Sequence, residues 1–231
     1  DDGPILQAQA MICFLGTSHA ASHLRDAAFA KGLPVTSLAQ DADLIFVSED
    51  TPTDEYGNRN VEPIRKLLLE ALSYPAPVVL TSQVPPGFTR SFNEPIRLYH
   101  QAETLRIKDA TARALAPDYI AVGTVSPSSY CLLHEQYRKY LDAFKCPVMV
   151  VSYEDAEFSK IAVNMTLAAQ VDSTNRLAQA AKLCDASWWH VAQILKLDKR
   201  IGSESYLTPG VWQDSKHLLR DHITLEAILS S

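Results

Sequence analysis

From Val150 to Gln179 the chain reads VVSYEDAEFSKIAVNMTLAAQVDSTNRLAQ, with neither Pro nor Gly to interrupt it. The run predicts one long helix. Ser152 is placed to cap it, and Glu154 and Asp155 fall in the first turn, where the helix dipole favours carboxylates. Phe158, Ile161, Ala162, Met165, Ala168, Ala169 and Leu177 recur every three to four positions and predict a buried stripe. Lys160 and Asn164 are one helical turn apart and share a face. On spacing alone two readings stand: a surface lysine beside a polar asparagine, or an ammonium and a carboxamide aimed at something polar opposite.

In front of this helix, short apolar runs alternate with helical patterns. MICFLG ends in Gly16, a helix-like stretch runs from about Ala20 to Lys31, and Val35–Leu38 and Asp43–Ser48 read as strands. A turn (TDEYGNRN), a helix over Val61–Leu72 and a strand over Pro77–Ser82 follow. Ser126–Leu141 reads as an amphipathic helix, Pro147–Val151 as a strand, and Trp188–Leu197 as a second helix whose tryptophans are packing residues. The alternation predicts an α/β fold, a shortened Rossmann-like parallel sheet covered on both faces, followed by an all-α domain built on the long helix. The expected division is a disordered leader at 1–10, a sheet domain at 11–151 and a helical domain at 152–231.

The turn after the first strand carries the first chemical signal. A dinucleotide fingerprint requires G-x-G-x-x-G, so that the backbone can approach a pyrophosphate. Here Gly16-Thr17-Ser18-His19-Ala20-Ala21 keeps only the first glycine, although Ser18 and Ala21 are small. The acid expected at the end of the second strand is missing near Leu38–Ala39, and Asp41 and Asp43 read as the lead-in to the next strand. Both a working nucleotide turn and a scaffold that has lost its nucleotide remain open. A net charge of −6 argues against a general nucleic-acid binder, and no apolar run reaches the length of a membrane span. The four cysteines lack C-x-x-C pairing or metal-like spacing and read as reduced, mostly buried thiols of a cytoplasmic protein. The histidines form no metal pattern, and no metal is expected.

Several segments, in order, resemble the UDP-glucose/GDP-mannose 6-dehydrogenase family. Glu157, Lys160 and Asn164 match its E-x-x-K-x-x-x-N on a long central helix. Thr51-Pro52-Thr53-Asp54 with Gly57 is similar to its P-T-P-x-x-x-x-G turn, and Ser82-Gln83-Val84-Pro85-Pro86-Gly87 to its S-T-V-P-P-G loop. Gln101–Gly123 is similar to N-P-E-F-L-R-E-G…P-D-R-I-V-I-G, with Glu103 and Arg106 matched. Leu197–Gly202 is close to L-D-x-R-I-G, and Pro209–Asp221 aligns with P-G-x-G-x-G-G-x-C-x-x-K-D.

The resemblance implies a cofactor, a substrate and an assembly. NAD would lie at Gly16, Thr17 and Ser18, with Thr51, Pro52, Thr53, Ser82 and Gln83 around it. Lys160 and Asn164 would bind the sugar of a nucleotide-sugar and hold developing negative charge on oxygen, as a fixed ammonium and amide donor can. Glu103 and Asp221 complete the implied set, Asp221 orienting a water or Lys160; the residue-level alternative for Glu103 and Arg106 is a solvated surface pair. The long helix, at 152–179, implies a homodimer.

The departures from the family are equally specific. Gln83 stands for the active-site Thr, Ile107 for the second glutamate and Arg176 for a glutamate after Asn175. The nucleophilic cysteine falls on His217, which reads either as a general base or as an ordinary helix histidine. Without a thiolate the family's second oxidation step has no route. A helix–strand–helix block expected between Leu38 and Asp41 is missing, which should leave a bare sheet edge. The family's C-terminal nucleotide-sugar-binding domain is not expected within these residues. The first reading is therefore an oxidoreductase of the nucleotide-sugar dehydrogenase class, acting on a CH–OH group and limited to one two-electron step. The alternative is a catalytically inactive homologue that serves as a dimeric binding, scaffold or regulatory protein.

Overall fold

The computed structural model describes residues 10–93, 96–127 and 129–230. The expected leader at 1–10 lies almost wholly outside them. The chain divides into two compact units: one holds the described residues up to Pro52 together with Asn60–Lys160, the other Thr53–Arg59 and the residues from Ile161 onward.

The first unit is an α/β sheet in which strands and helices alternate: β1 (Ile12–Leu15), α1 (His19–Ala30), β2 (Val35–Thr36), β3 (Leu44–Val47), α2 (Glu62–Leu72), β4 (Val78–Leu80), β5 (Leu98–Gln101), α3 (Ala110–Leu115), β6 (Ile120–Thr124), α4 (Glu135–Asp142) and β7 (Val148–Ser152). Its seven strands lie in the order β2-β1-β3-β4-β5-β6-β7. β3 shows why the sheet is buried on both faces. Leu44 and Phe46 enter one apolar cluster with Ile12, Ala28, Tyr137 and Tyr140, while Ile45 and Val47 enter the other with Ile64, Leu68 and Val78. Neighbouring residues of a strand point to opposite faces, so an unbroken apolar tetrapeptide serves two cores. All four are fully buried, each burial being worth about 1.5–3 kcal/mol.

The sheet departs from the all-parallel expectation at one pairing. β5 and β6 run antiparallel, with His100 opposite Gly123, whereas the other pairings are parallel. β5 was not foreseen, because two of its four residues, His100 and Gln101, are polar; both are nonetheless buried. At the other side β2 has only two residues and forms the edge, where the missing helix–strand–helix block was expected to leave one.

Two other expectations are corrected. The helix predicted over Ser126–Leu141 begins only at Glu135, because Ser129, Leu133 and His134 hold extended ψ angles of 144°, 151° and 139° around a short 3₁₀ turn. The thiols are not mostly buried: all four are free, Cys13 is buried, Cys146 half-buried, and Cys131 and Cys184 exposed.

α5 (Tyr153–Leu183) starts in the first unit and continues into the second. Its cap is reciprocal: the Asp155 amide donates to Ser152 Oγ at 3.1 Å, while the Ser152 amide and hydroxyl donate to Asp155 Oδ2 at 3.1 and 2.6 Å. The buried stripe is shifted from the predicted one. It runs through Tyr153, Ala156, Glu157, Ile161, Asn164, Ala168, Val171, Thr174 and Ala181, so Phe158, Ala169 and Leu177 point outward. Polar Glu157, Asn164 and Thr174 replace them because each finds a hydrogen-bond partner inside.

In the second unit, α6 (Trp188–Leu197) and α7 (Lys216–Leu229) follow. The segment between them is tied to α5 by side chains. Gln170 accepts from the Tyr206 amide, Thr174 donates to the Tyr206 carbonyl, and Asn175 exchanges two bonds with Gly210. Of the two tryptophans expected to pack, Trp188 is half-buried and donates to the Leu207 carbonyl, but Trp189 is 66% exposed. Among the described residues no helix is long and apolar enough to cross a membrane.

Candidate active site

The sequence-predicted catalytic residues gather in two places, one in each unit. In the second unit the centre is Asp221, with no exposed surface. It is one of the two buried residues of α7, with Arg220, so its charge must be met by a cation or strong donors. One oxygen accepts from Arg59, and the other from the Asn164 carboxamide at 2.5 Å. Arg220 Nε is 3.9 Å away.

Arg59 reaches Asp221 because of the turn before it. The Asp54 carboxylate gathers the amides of Tyr56 and Asn58 and the Asn58 side chain at 2.8–2.9 Å, which holds its own pKa low. Gly57 takes φ 85°, and a Cβ there would come within 2.8 Å of Ile223 Cγ1, so only glycine lets the turn lie against α7. Thr53 and Arg59 form an antiparallel bridge that closes it. Burial pulls the Arg59 guanidinium down to about 10 even though Asp221 pulls it up. His217, at the position expected for the thiol, lies exposed in the first turn of α7, with Nδ1 3.3 Å from an Arg220 NH group. An arginine only donates, so Nδ1 is the acceptor.

In the first unit, Lys160 Nζ lies 3.9 Å from Glu103 Oε2, and the side chains are 17% and 19% exposed. Glu103 also accepts from the Leu105 amide. Glu103 borders an open cleft whose wall includes Thr81, Gln101, Arg113 and Tyr140. Arg106 meets Asp109 at 2.5 Å, while Glu103 faces Lys160. Glu157, 1% exposed, takes the Gly87 and Thr89 amides at 2.6 and 2.8 Å and so locks the Pro-rich loop to the start of α5. Burial raises its pKa, and the amide bonds oppose the rise.

Of the candidate cofactor residues, Gly16, Thr17, Ser18 and Ser82 meet the chain just after β3. Gly16 takes φ 111°, and a Cβ there would overlap the Ser48 carbonyl. Ser18 caps α1, accepting from the Ala21 amide at 3.0 Å and donating to the Ser48 carbonyl at 2.8 Å. The Thr17 amide and hydroxyl both meet the Glu49 carboxylate, at 3.0 and 3.1 Å. Ser82 Oγ accepts from the Glu49 amide at 2.8 Å, and Thr51 Oγ1 donates to the Gln83 carbonyl at 2.8 Å. Asn60 donates to the Pro52 carbonyl. Two donors just before the α1 N-terminus, the Thr17 amide and hydroxyl, therefore already hold a carboxylate of the chain. Phosphates bound at this turn would have to displace the Glu49 carboxylate from Thr17. Among the described residues no group of three or more His, Cys, Asp or Glu is placed to hold a metal.

Arg59, Glu157 and Glu49 are the functional residues that sequence reasoning left out. A buried acid at Asp221 called for a cation, but nothing in GNRN said which. Glu157 was matched without a role. Glu49-Asp50, two acids one serine beyond a wholly apolar strand, was the available signal for the third.

Residues 154–229 match the model of the UDP-glucose/GDP-mannose dehydrogenase family, central domain. The chain is 29% identical over 187 residues to UDP-glucose 6-dehydrogenase YwqF of Bacillus subtilis, covering 75% of this chain and 41% of that protein. It is 28% identical over 202 residues to a UDP-glucose 6-dehydrogenase of Pseudomonas aeruginosa, covering 79% and 44%. A UDP-glucose dehydrogenase structure from Pyrobaculum islandicum shares the fold with a TM-score of 0.73 at 20% identity, over 98% of this chain and 66% of that one. A UDP-D-ManNAc dehydrogenase structure from Pyrococcus horikoshii gives 0.70 at 15% identity, over 87% and 60%. The chain is thus similar to the nucleotide-sugar dehydrogenases, most closely matching their central domain over residues 154–229, and it spans about two-fifths of the length of these curated relatives.

Proposed function

We propose that this chain is an oxidoreductase-class member of that family that engages the CH–OH group of a UDP- or GDP-sugar and is limited to a single two-electron exchange. The observation that carries the reading is the buried Asn164–Asp221–Arg59 network, one turn of α5 beyond Lys160. Asp221 fixes the Asn164 carboxamide, and Glu103 sits beside the Lys160 ammonium. A positioned ammonium and a positioned amide can hold a sugar hydroxyl and the negative charge that grows on its oxygen. His217 at the thiol position supplies no sulfur nucleophile, so an aldehyde-level product would not be carried on through a thioester.

The family's electron acceptor is NAD, whose phosphates would have to displace Glu49 from Thr17 in the β1–α1 turn, so the reading rests on Lys160 and Asn164. Glu49 on Thr17 favours the second reading, a catalytically inactive homologue that binds, scaffolds or regulates. Under either reading we place a homodimer on the long helix. Val163, Leu177 and Leu183 on α5 and Trp189, Ile194 and Leu197 on α6 expose 42–83% of their surface, more apolar area than one copy covers.

The test is NADH absorbance with the full chain, excess NAD and a panel of UDP- and GDP-hexoses. Turnover that falls at least about a hundredfold in both K160A and N164A, as loss of transition-state charge stabilisation implies, supports the first reading. Absence of turnover across the panel, in protein that melts cooperatively, leaves the second.

A further inference from the structure

The end of β3 and the β1–α1 turn form one continuous contact. Gly16 lies against the Ser48 carbonyl, Ser18 spends its hydroxyl on that carbonyl and on the Ala21 amide, and Ser82 holds the Glu49 amide. This fixes the Glu49 backbone beside the turn, and its side chain completes the contact. The two carboxylate oxygens of Glu49 take the Thr17 amide and hydroxyl, and Oε1 also takes the Asp50 amide at 3.0 Å.

We infer that Glu49 is a built-in competitor for the pyrophosphate of a dinucleotide, occupying the donors at the start of α1 that the phosphates would need. The inference shares only its choice of NAD with the function proposed above. Two effects act together. The carboxylate ties up the Thr17 amide and hydroxyl, and its charge repels a pyrophosphate a few ångströms away; charge-assisted bonds of this kind are the stronger class. Asp50, exposed and next in sequence, adds a second negative charge at the same rim. Neither effect touches an adenosine ring or ribose, so the penalty falls on phosphate alone.

The test is calorimetric titration of the full chain and of E49Q and E49A with three probes: NAD, ADP and adenosine. Glu49 is partly exposed and Gln is isosteric with it, so E49Q is expected to melt like the wild type; E49A repeats the test without a hydrogen-bonding side chain. The expected result is that both variants bind NAD and ADP at least about tenfold more tightly than wild type, as removal of one facing charge in both, and release of the Thr17 donors in E49A, imply, while adenosine is unchanged. Higher salt should shrink the difference. Equal NAD affinity in wild type and variants overturns the inference and leaves the oxidoreductase reading standing. NAD binding in the variants alone supports the inference and counts against wild-type turnover. Failure of NAD to bind any of the three overturns it, as does an equal gain for adenosine, which would mean that the turn had merely loosened.

Discussion

Arg59→Met probes the buried network that holds the Asn164 carboxamide. Asp221 is wholly removed from water, and the Arg59 side chain is 5% exposed. Without the guanidinium, the carboxylate keeps the Asn164 amide, and Arg220 Nε lies 3.9 Å away. Removing one partner of a buried pair costs about 3–5 kcal/mol, and the remaining charged hydrogen bond pulls the cost toward the lower figure. At about 2–4 °C per kcal/mol for a chain of this length, melting of the second unit is expected to fall by roughly 6–12 °C. All three tryptophans, Trp188, Trp189 and Trp212, lie in that unit, so urea unfolding followed by tryptophan fluorescence reports on it directly. Asp221→Leu alone strands a buried guanidinium and is expected to cost a similar amount. The double variant R59M/D221L removes both charges and is expected to cost less than either single change. A loss below about 1 kcal/mol in R59M, or a double variant whose cost is the sum of the two, would refute the view that Arg59 and Asp221 act as a buried couple.

Other parts of the structure give independent expectations. His100 on β5 is 3% exposed, its Nδ1 has no hydrogen-bond partner, and burial pushes its pKa down to about 3. The unfolded chain therefore binds the extra proton first: stability is full above about pH 6.5 and falls by up to about 1.4 kcal/mol per pH unit as pH drops toward 3. In urea titrations from pH 7 to 4, H100L should lose that part of the slope, and an unchanged slope would contradict the assignment. Gly57→Ala combines φ 85° with an approach to Ile223 Cγ1 at 2.8 Å, so it is expected to cost at least about 1–2 kcal/mol. I223A should recover part of that cost in the same tryptophan assay. Glu157→Gln loses a charged acceptor for two buried amides, and one Gln oxygen cannot replace both oxygens; about 1–3 kcal/mol is expected. Its cleanest readout is faster hydrogen exchange at Gly87 and Thr89, and unchanged exchange would refute the proposed lock.

The fold was largely legible because its signals are local. Leu44–Val47 and Val78–Leu80 are apolar throughout, the long helix lacks breakers, and Ser152-x-x-Asp155 is a cap written in four residues. β5 escaped notice because burial of His100 and Gln101 is decided by the strands on either side, not by their own hydropathy. The stripe on α5 was shifted for a related reason: hydropathy marks Phe158 and Leu177 as inward, whereas Glu157, Asn164 and Thr174 are drawn in by partners distant in sequence. The site follows the same division. Lys160, Asn164 and Asp221 were found from spacing and resemblance, but their actual partners, Glu103 for the lysine and Arg59 for the aspartate, are set by tertiary approach. Glu49 belongs wholly to the second kind, since an acid after a strand reads as an ordinary loop residue until its carboxylate is seen on Thr17.

The most direct test of the account is the oxidation level of the product. The full chain would be incubated with NAD in excess and the UDP- and GDP-hexose panel, with hydroxylamine present to trap carbonyls, and the sugar nucleotides would be weighed by mass spectrometry. With His217 in place of a thiol, the account predicts a trapped carbonyl product, one NADH per sugar and no uronic acid. A sugar acid formed with two NADH per sugar would contradict it.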